Sequence, residues 1–111
     1  MAISNSDPSL PLGNARYVIY VLRDPISGKD RYVGCTKRPL HDRLSAHISE
    51  GANPFRQSPK RVWIRGLTSH GLTPTIASID EAIGQQAARG IEAWWLAHKR
   101  RQGDDLLNWD R

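Results

Sequence analysis

Residues 17–23 (YVIYVLR) are apolar at both parities and rich in β-branched and aromatic side chains. That pattern predicts a strand buried on both faces, hence a central one. The next seven residues, DPISGKD, carry Asp-Pro and Ser-Gly turn chemistry. Residues 31–35 (RYVGC) then read as the returning strand of a hairpin. A register symmetric about Ile26 would make Tyr20 and Tyr32 cross-strand neighbours on one face. Gly34, two residues after Tyr32, shares that face and leaves room above it.

A helix is expected to follow Thr36 as N-cap, or to start one residue later, with Pro39 in its first turn. Leu40, Leu44 and Ile48 form its buried stripe, with Arg43 and His47 along one edge. It should stop near Gly51, a natural residue just past a helix end. Ser58 then caps a second helix with Pro59 at its first position, ending before His70 and Gly71. Residues 73–79 (TPTIASI) alternate as a third strand, whose proline favours a strand start or an edge. Asp80 is placed to cap a last helical region that Gly84 and Gly90 interrupt and whose strongest part is 91–101. Residues 103–105 (GDD) end it, and 106–109 close the chain. Residues 1–15 lack periodicity and read as a tail anchored through Leu10 and Leu12; 16–111 form one domain.

Composition narrows the class. The 111 residues suffice for one domain, and 39% hydrophobic content gives a modest core. No apolar run approaches the roughly 18 residues of a membrane span. No charged and apolar leader opens the chain, so the expectation is a cytoplasmic or nucleoid-associated protein that is not secreted. One cysteine, Cys35, excludes an internal disulfide framework and an all-Cys zinc site.

Charge is uneven. The net charge is +5, yet residues 16–65 hold 11 Lys or Arg against four Asp or Glu. That segment suggests a polyanion partner such as nucleic acid, weighed against a basic surface that only confers solubility. Lys37, Arg38, Arg56, Lys60, Arg61 and Arg65 are its candidate phosphate contacts.

Taken singly, the candidate chemical residues have ordinary readings. Arg43 can snorkel, His47 can pack half-buried, and two phenols can simply fill a core. Glu92 sits among Ile91, Trp94, Trp95 and Leu96, where a carboxylate is costly unless exposed, paired with Arg89 or bound to a metal.

Taken in order, they resemble a family. YVIY (17–20), an eleven-residue gap, YVG (32–34), Arg43 and His47 in the next helix, Glu92, and LLN (106–108) resemble the GIY-YIG endonucleases over nearly the whole chain. Lys60 and Trp63 in the middle helix are similar to residues such domains often carry. The departures are Val18 where the first motif usually has glycine, and Val33 for isoleucine. The resemblance implies an α+β fold, a three-stranded antiparallel sheet flanked by helices. It implies one-metal hydrolysis of DNA phosphodiesters with one Mg²⁺ (or Mn²⁺) ion per site. Tyr20, Tyr32, Arg43 and His47 match the catalytic positions, Glu92 the metal-binding glutamate, and Gly34 and Asn108 supporting positions. The general base stays open among Tyr20, Tyr32 and His47. Glu81 is the alternative carboxylate, although a helix start would explain it through the macrodipole.

Two other readings remain: a nucleic-acid-binding module of the same fold that does not cut, and a protein-interaction domain anchored by Trp63, Trp94 and Trp95. DNA is the expected partner, without a membrane, and targeting would come from the domain itself, a homodimer or a partner protein.

Overall fold

The apolar run at 17–23 takes the centre of a three-stranded antiparallel sheet ordered β2-β1-β3. The strands are β1 (Arg16–Arg23), β2 (Asp30–Thr36) and β3 (Thr75–Ile83); the helices are α1 (Leu40–Gly51), α2 (Pro59–Ser69) and α3 (Gln85–Arg101). The computed structural model describes residues 15–108. The tail anchors Leu10 and Leu12, and the chain end from Trp109, lie outside the described residues. The class is α+β, with helices flanking the sheet.

Because β1 is paired on both sides, its alternating side chains feed two cores. Ile19 and Val21 join Val33, Ala82, Ala88 and Leu106, with Ile91, Trp95 and Leu96 of α3 packed against them. Tyr20 and Leu22 join Ile64 of α2, surrounded by Tyr32, Leu40, Leu44, Ile48 and Trp63.

The hairpin register differs from the symmetric expectation. Tyr20 lies opposite Gly34, and Leu22 lies opposite Tyr32. The cause is the turn, which Asp24 closes by donating from its N–H to Lys29 (2.9 Å) and accepting from Gly28 (2.8 Å). Gly28 supplies the left-handed φ of 73° that this turn requires. Arg23 then pairs with Asp30, which leaves Arg31 as an extra residue. The net slip is even, so Tyr20 and Tyr32 keep a common face as diagonal neighbours.

Three helix boundaries also move. Thr36 pairs with Val18 as the last residue of β2, and its hydroxyl accepts from Arg38 N–H at 2.9 Å. Pro39 is therefore the N-cap residue of α1, in extended conformation. Gly51 is not a left-handed terminator but the last residue of α1, where a Cβ would come 2.8 Å from Ile64 Cγ2. Its lack of a side chain lets α1 and α2 approach closely. Ser58 caps α2 as expected, accepting from Arg61 N–H at 3.1 Å.

The third strand begins after Pro74 and continues through Asp80 and Glu81, so neither residue starts a helix. Ile79 is a bulge, since Ile19 faces Asp80 while Tyr20 faces Ser78. The extra residue returns Asp80 to the α3 face, where it accepts from Trp95 Nε1 at 2.9 Å. Glu81 is exposed and paired with Arg16. The break falls at Gly84 (φ 90°), the N-cap of α3, and Gly90 lies inside that continuous helix. No helix among the described residues is long and apolar enough to cross a membrane.

Candidate active site

A Cβ at Gly34 would come 2.5 Å from the Tyr20 hydroxyl oxygen and 2.6 Å from Cζ. The glycine thus makes room on β2 for a phenol that starts on β1 and reaches α1. There the hydroxyl lies 2.7 Å from His47 Nε2 and 3.3 Å from Arg43 Nε. Arg43 and His47, one helical turn apart, converge on one oxygen. They differ in burial: Arg43 is half-buried, and His47 is fully enclosed at 0% exposure.

The other ring nitrogen, His47 Nδ1, lies 3.1 Å from Lys60 Nζ. An ammonium has no lone pair, so Nδ1 must accept and Nε2 must carry the ring proton. His47 therefore donates to the Tyr20 oxygen, as does Arg43. Glu50, three residues after His47, lies 3.6 Å from Arg43, 3.7 Å from Lys60 and 3.9 Å from His47. One carboxylate thus serves the cations around the buried ring.

Burial sets the protonation states. It pulls His47 down to about 3, with Lys60 and then Arg43 adding to the effect, so the imidazole is neutral at neutral pH. Burial pushes the Tyr20 phenol up, and Arg43 works against it. Tyr32 is also raised, by burial first and by Glu92 second. Burial lowers Lys60, while Glu50 opposes that fall.

A cleft of about 430 Å³ opens along the β2 edge. It is lined by Tyr32 of β2, by Ser58 and Lys60 at the N-cap and first turn of α2, and by Arg89, Glu92 and Leu96 of α3. Tyr32 and Lys60 join this cleft to the buried cluster: Nζ lies 4.9 Å above the Tyr32 ring, whose centroid is 5.4 Å from that of His47. Asn108 closes one end. Its Oδ1 accepts from Val33 N–H (3.0 Å) and its Nδ2 donates to Val33 O (2.7 Å), fixing the C-terminal segment beside Tyr32.

Glu92 is the carboxylate of the cleft. It makes no hydrogen bond or ion pair with a described residue, and Arg89, though close enough to lower its pKa, is not a partner. Burial outweighs Arg89 and raises the carboxyl. No group of three or more His, Cys, Asp or Glu among the described residues is arranged to hold a metal ion. A divalent cation at this site would therefore take one protein carboxylate and fill its shell with water and phosphate oxygens, a donor set suited to a hard ion.

The six candidate phosphate contacts divide in two. Lys37, Arg38 and Arg56 are exposed, and their side chains are engaged with no described residue. Lys60 is turned inward onto His47, Arg61 donates to Glu50 O (2.9 Å), and Arg65 donates to the carbonyls of Gly51, Asn53 and Arg56. The tryptophans divide as well. Trp63 and Trp95 are half-buried and donate to Asp24 and Asp80, whereas Trp94 is 54% exposed and stacked on His98.

A larger hollow of about 810 Å³ lies at the hairpin turn, walled by side chains of both signs. Asp30 there pairs with Arg23 and Lys99, each at 2.6 Å, and the expected chemical residues are elsewhere. Sequence reading missed Glu50 as a member of the site, and the inward turn of Lys60 onto His47 was not legible in it. The available signal for Glu50 was spacing, since it lies three residues from His47. The chain matches no protein-family model, no curated protein and no solved structure.

Proposed function

We propose that the protein is a metal-dependent DNA endonuclease hydrolysing phosphodiester bonds, in line with the resemblance to GIY-YIG nucleases. The observation that carries this reading is the convergence of Tyr20, Tyr32, Arg43, His47 and Glu92, from four elements, on one cleft and the hydrogen-bonded cluster beneath it.

Hydrolysis adds the oxygen of water to phosphorus and breaks the bond to the leaving alkoxide, with a proton passing from water to a base. Three groups were open for that base. His47 is enclosed and both its nitrogens are bonded, and Tyr20 is 1% exposed. Tyr32 is the phenol that lines the cleft beside Glu92. In this reading Tyr32 contacts the attacking water, while Tyr20 and His47 act as positioning residues. Arg43, held at Nε by Tyr20 and paired through Nη1 with Glu50, offers its Nη2 group to the non-bridging oxygens, where negative charge grows in the transition state. Glu92 would hold a Mg²⁺ or Mn²⁺ ion, whose positive charge would neutralise the phosphate, assist the leaving oxygen and favour an ionised phenol nearby. Lys37, Arg38 and Arg56 attract the duplex from outside.

The test is a cleavage panel over continuous, nicked, flapped and branched DNA with and without Mg²⁺. Metal-dependent products that disappear in Arg43→Ala and Glu92→Ala support the reading. Cleavage retained in both variants overturns it, and salt-sensitive binding without any product converts it to the binding module of the same fold.

A further inference from the structure

Phe55 is the most exposed large apolar residue described, at 90%. It stands in the loop between α1 and α2, where an uncovered ring contributes nothing to the fold. Yet the loop is braced. Arg65 folds back from α2 and donates to Gly51 O (3.0 Å), Asn53 O (2.8 Å) and Arg56 O (3.3 Å). Asn53 Oδ1 accepts from the Phe55 N–H at 2.9 Å, and Gln57 donates to Pro54 O at 3.2 Å. The ring is therefore presented by a backbone already held in place, which lowers the ordering cost of any contact it makes.

Charge indicates what it meets. Residues 51–79 contain Arg56, Lys60, Arg61 and Arg65 and no Asp or Glu. The neighbour Arg56 is exposed, as are Lys37 and Arg38. Position indicates where. Ser58 lines the cleft with Glu92, and Phe55 precedes it by three residues, a chain reach of at most about 11 Å. An exposed aromatic face next to a cation, within that reach of the cleft, matches the platforms on which nucleic-acid bases stack. Trp94 lacks that setting, because its ring is already stacked on His98 at 4.7 Å.

We infer that Phe55 is a stacking contact for an unpaired or partly unstacked base, so that the cleft prefers DNA interrupted by a gap, flap or branch. The inference rests on the endonuclease reading and names its substrate class. Entry of the ring into continuous duplex must first separate a stacked step, whereas an interruption presents an open base face without that cost.

The 111-residue chain is tested without divalent ion, so that nothing is cleaved. Fluorescence anisotropy compares one duplex sequence in continuous, gapped and 3′-flapped forms, with 2-aminopurine placed at the interruption. Wild type is expected to bind the interrupted forms about tenfold tighter than the continuous one and to quench the 2-aminopurine. Phe55→Ala should lose most of that preference and the quenching, with continuous-duplex affinity changed less than about twofold; Phe55→Trp should retain both. An unchanged preference and quench in Phe55→Ala overturns the inference and leaves the endonuclease reading standing; a ring reserved for a protein partner would give that result. Equal weakening on all forms also overturns it. Failure of wild type to bind any of the DNAs overturns both. Because the side chain is exposed, unfolding midpoints of wild type and Phe55→Ala should coincide, which separates these outcomes from misfolding.

Discussion

Lys60 Nζ lies 3.1 Å from His47 Nδ1, and this contact sets the direction of every hydrogen bond in the buried cluster. With Nδ1 accepting, the ring proton sits on Nε2 and points to Tyr20, whose oxygen also receives Arg43 Nε. Two N–H donors on one phenol oxygen leave it no need to give its own proton to His47.

Removing Lys60 should reverse that direction. In Lys60→Met, Glu50 at 3.9 Å becomes the nearest acceptor for His47 Nδ1, so the proton is expected to move to Nδ1 and Nε2 to accept from Tyr20. Long-range ¹H–¹⁵N correlation spectra read this directly. Wild type should show a protonated Nε2 and an unprotonated Nδ1, and the variant the opposite. A wild-type ring protonated at Nδ1 would contradict the arrangement.

Gly34→Ala tests the close approach of Tyr20. Tyr20 is 1% exposed, so its ring has nowhere to retreat from a new Cβ at 2.5 Å. We expect a loss of about 1–3 kcal/mol in urea unfolding. Cleavage should fall along with it, because the phenol leaves His47 and Arg43. Gly66→Ala is the contrast: nothing lies within 4 Å of its Cβ, and in an exposed helix it should be neutral or stabilise by up to about 1 kcal/mol.

The neutral buried His47 makes stability fall in mild acid. Its pKa is about 3 in the fold and 6.5 as the ordinary value, so between these the unfolded chain takes up a proton that the folded chain refuses. Stability is complete above 6.5 and declines as pH falls, with a slope approaching about 1.4 kcal/mol per pH unit from this group. Unfolding curves between pH 6.5 and 5 should lose that slope in His47→Asn. An equal slope in the variant would place the titration elsewhere.

Glu92 should trade stability for chemistry. Burial raises its carboxyl, so the ionised form is disfavoured in the fold at neutral pH. Glu92→Gln is expected to raise Tm at pH 7, with the gain shrinking as acid protonates the wild-type carboxyl. Mg²⁺ should raise the Tm of wild type by mass action and leave the variant unmoved. A variant that melts lower at pH 7, or responds equally to Mg²⁺, would remove Glu92 from the metal role.

Much of the fold was legible because its signals are local. A double-parity apolar run marks β1 as central, Ser58 followed by Pro59 marks the start of α2, and alternation marks β3. Errors arose where a neighbouring element overrode a local preference. Asp80 has the chemistry of a helix cap, yet pairing with Ile19 keeps it in a strand and Trp95 takes its carboxylate. Thr36 likewise stays in the sheet through Val18.

The candidate site divides on the same principle. Sequence alone determined that Gly34 and Tyr32 share a strand face and that Arg43 and His47 share a helix edge, since the periods of strand and helix are local geometry. Tyr20, in contrast, joins that face through the even register slip that the hairpin turn sets. The sequence also determined that the chain is basic from 16 to 65. Which cations face outward depends on how the helices pack. Lys60, Arg61 and Arg65 look interchangeable with Lys37, Arg38 and Arg56 along the chain, but α2 crosses α1 at Gly51 closely enough to turn the first three inward onto His47 and backbone carbonyls. Such contacts depend on how two helices approach, and that distance is set by the missing side chain of Gly51, whose own carbonyl receives Arg65.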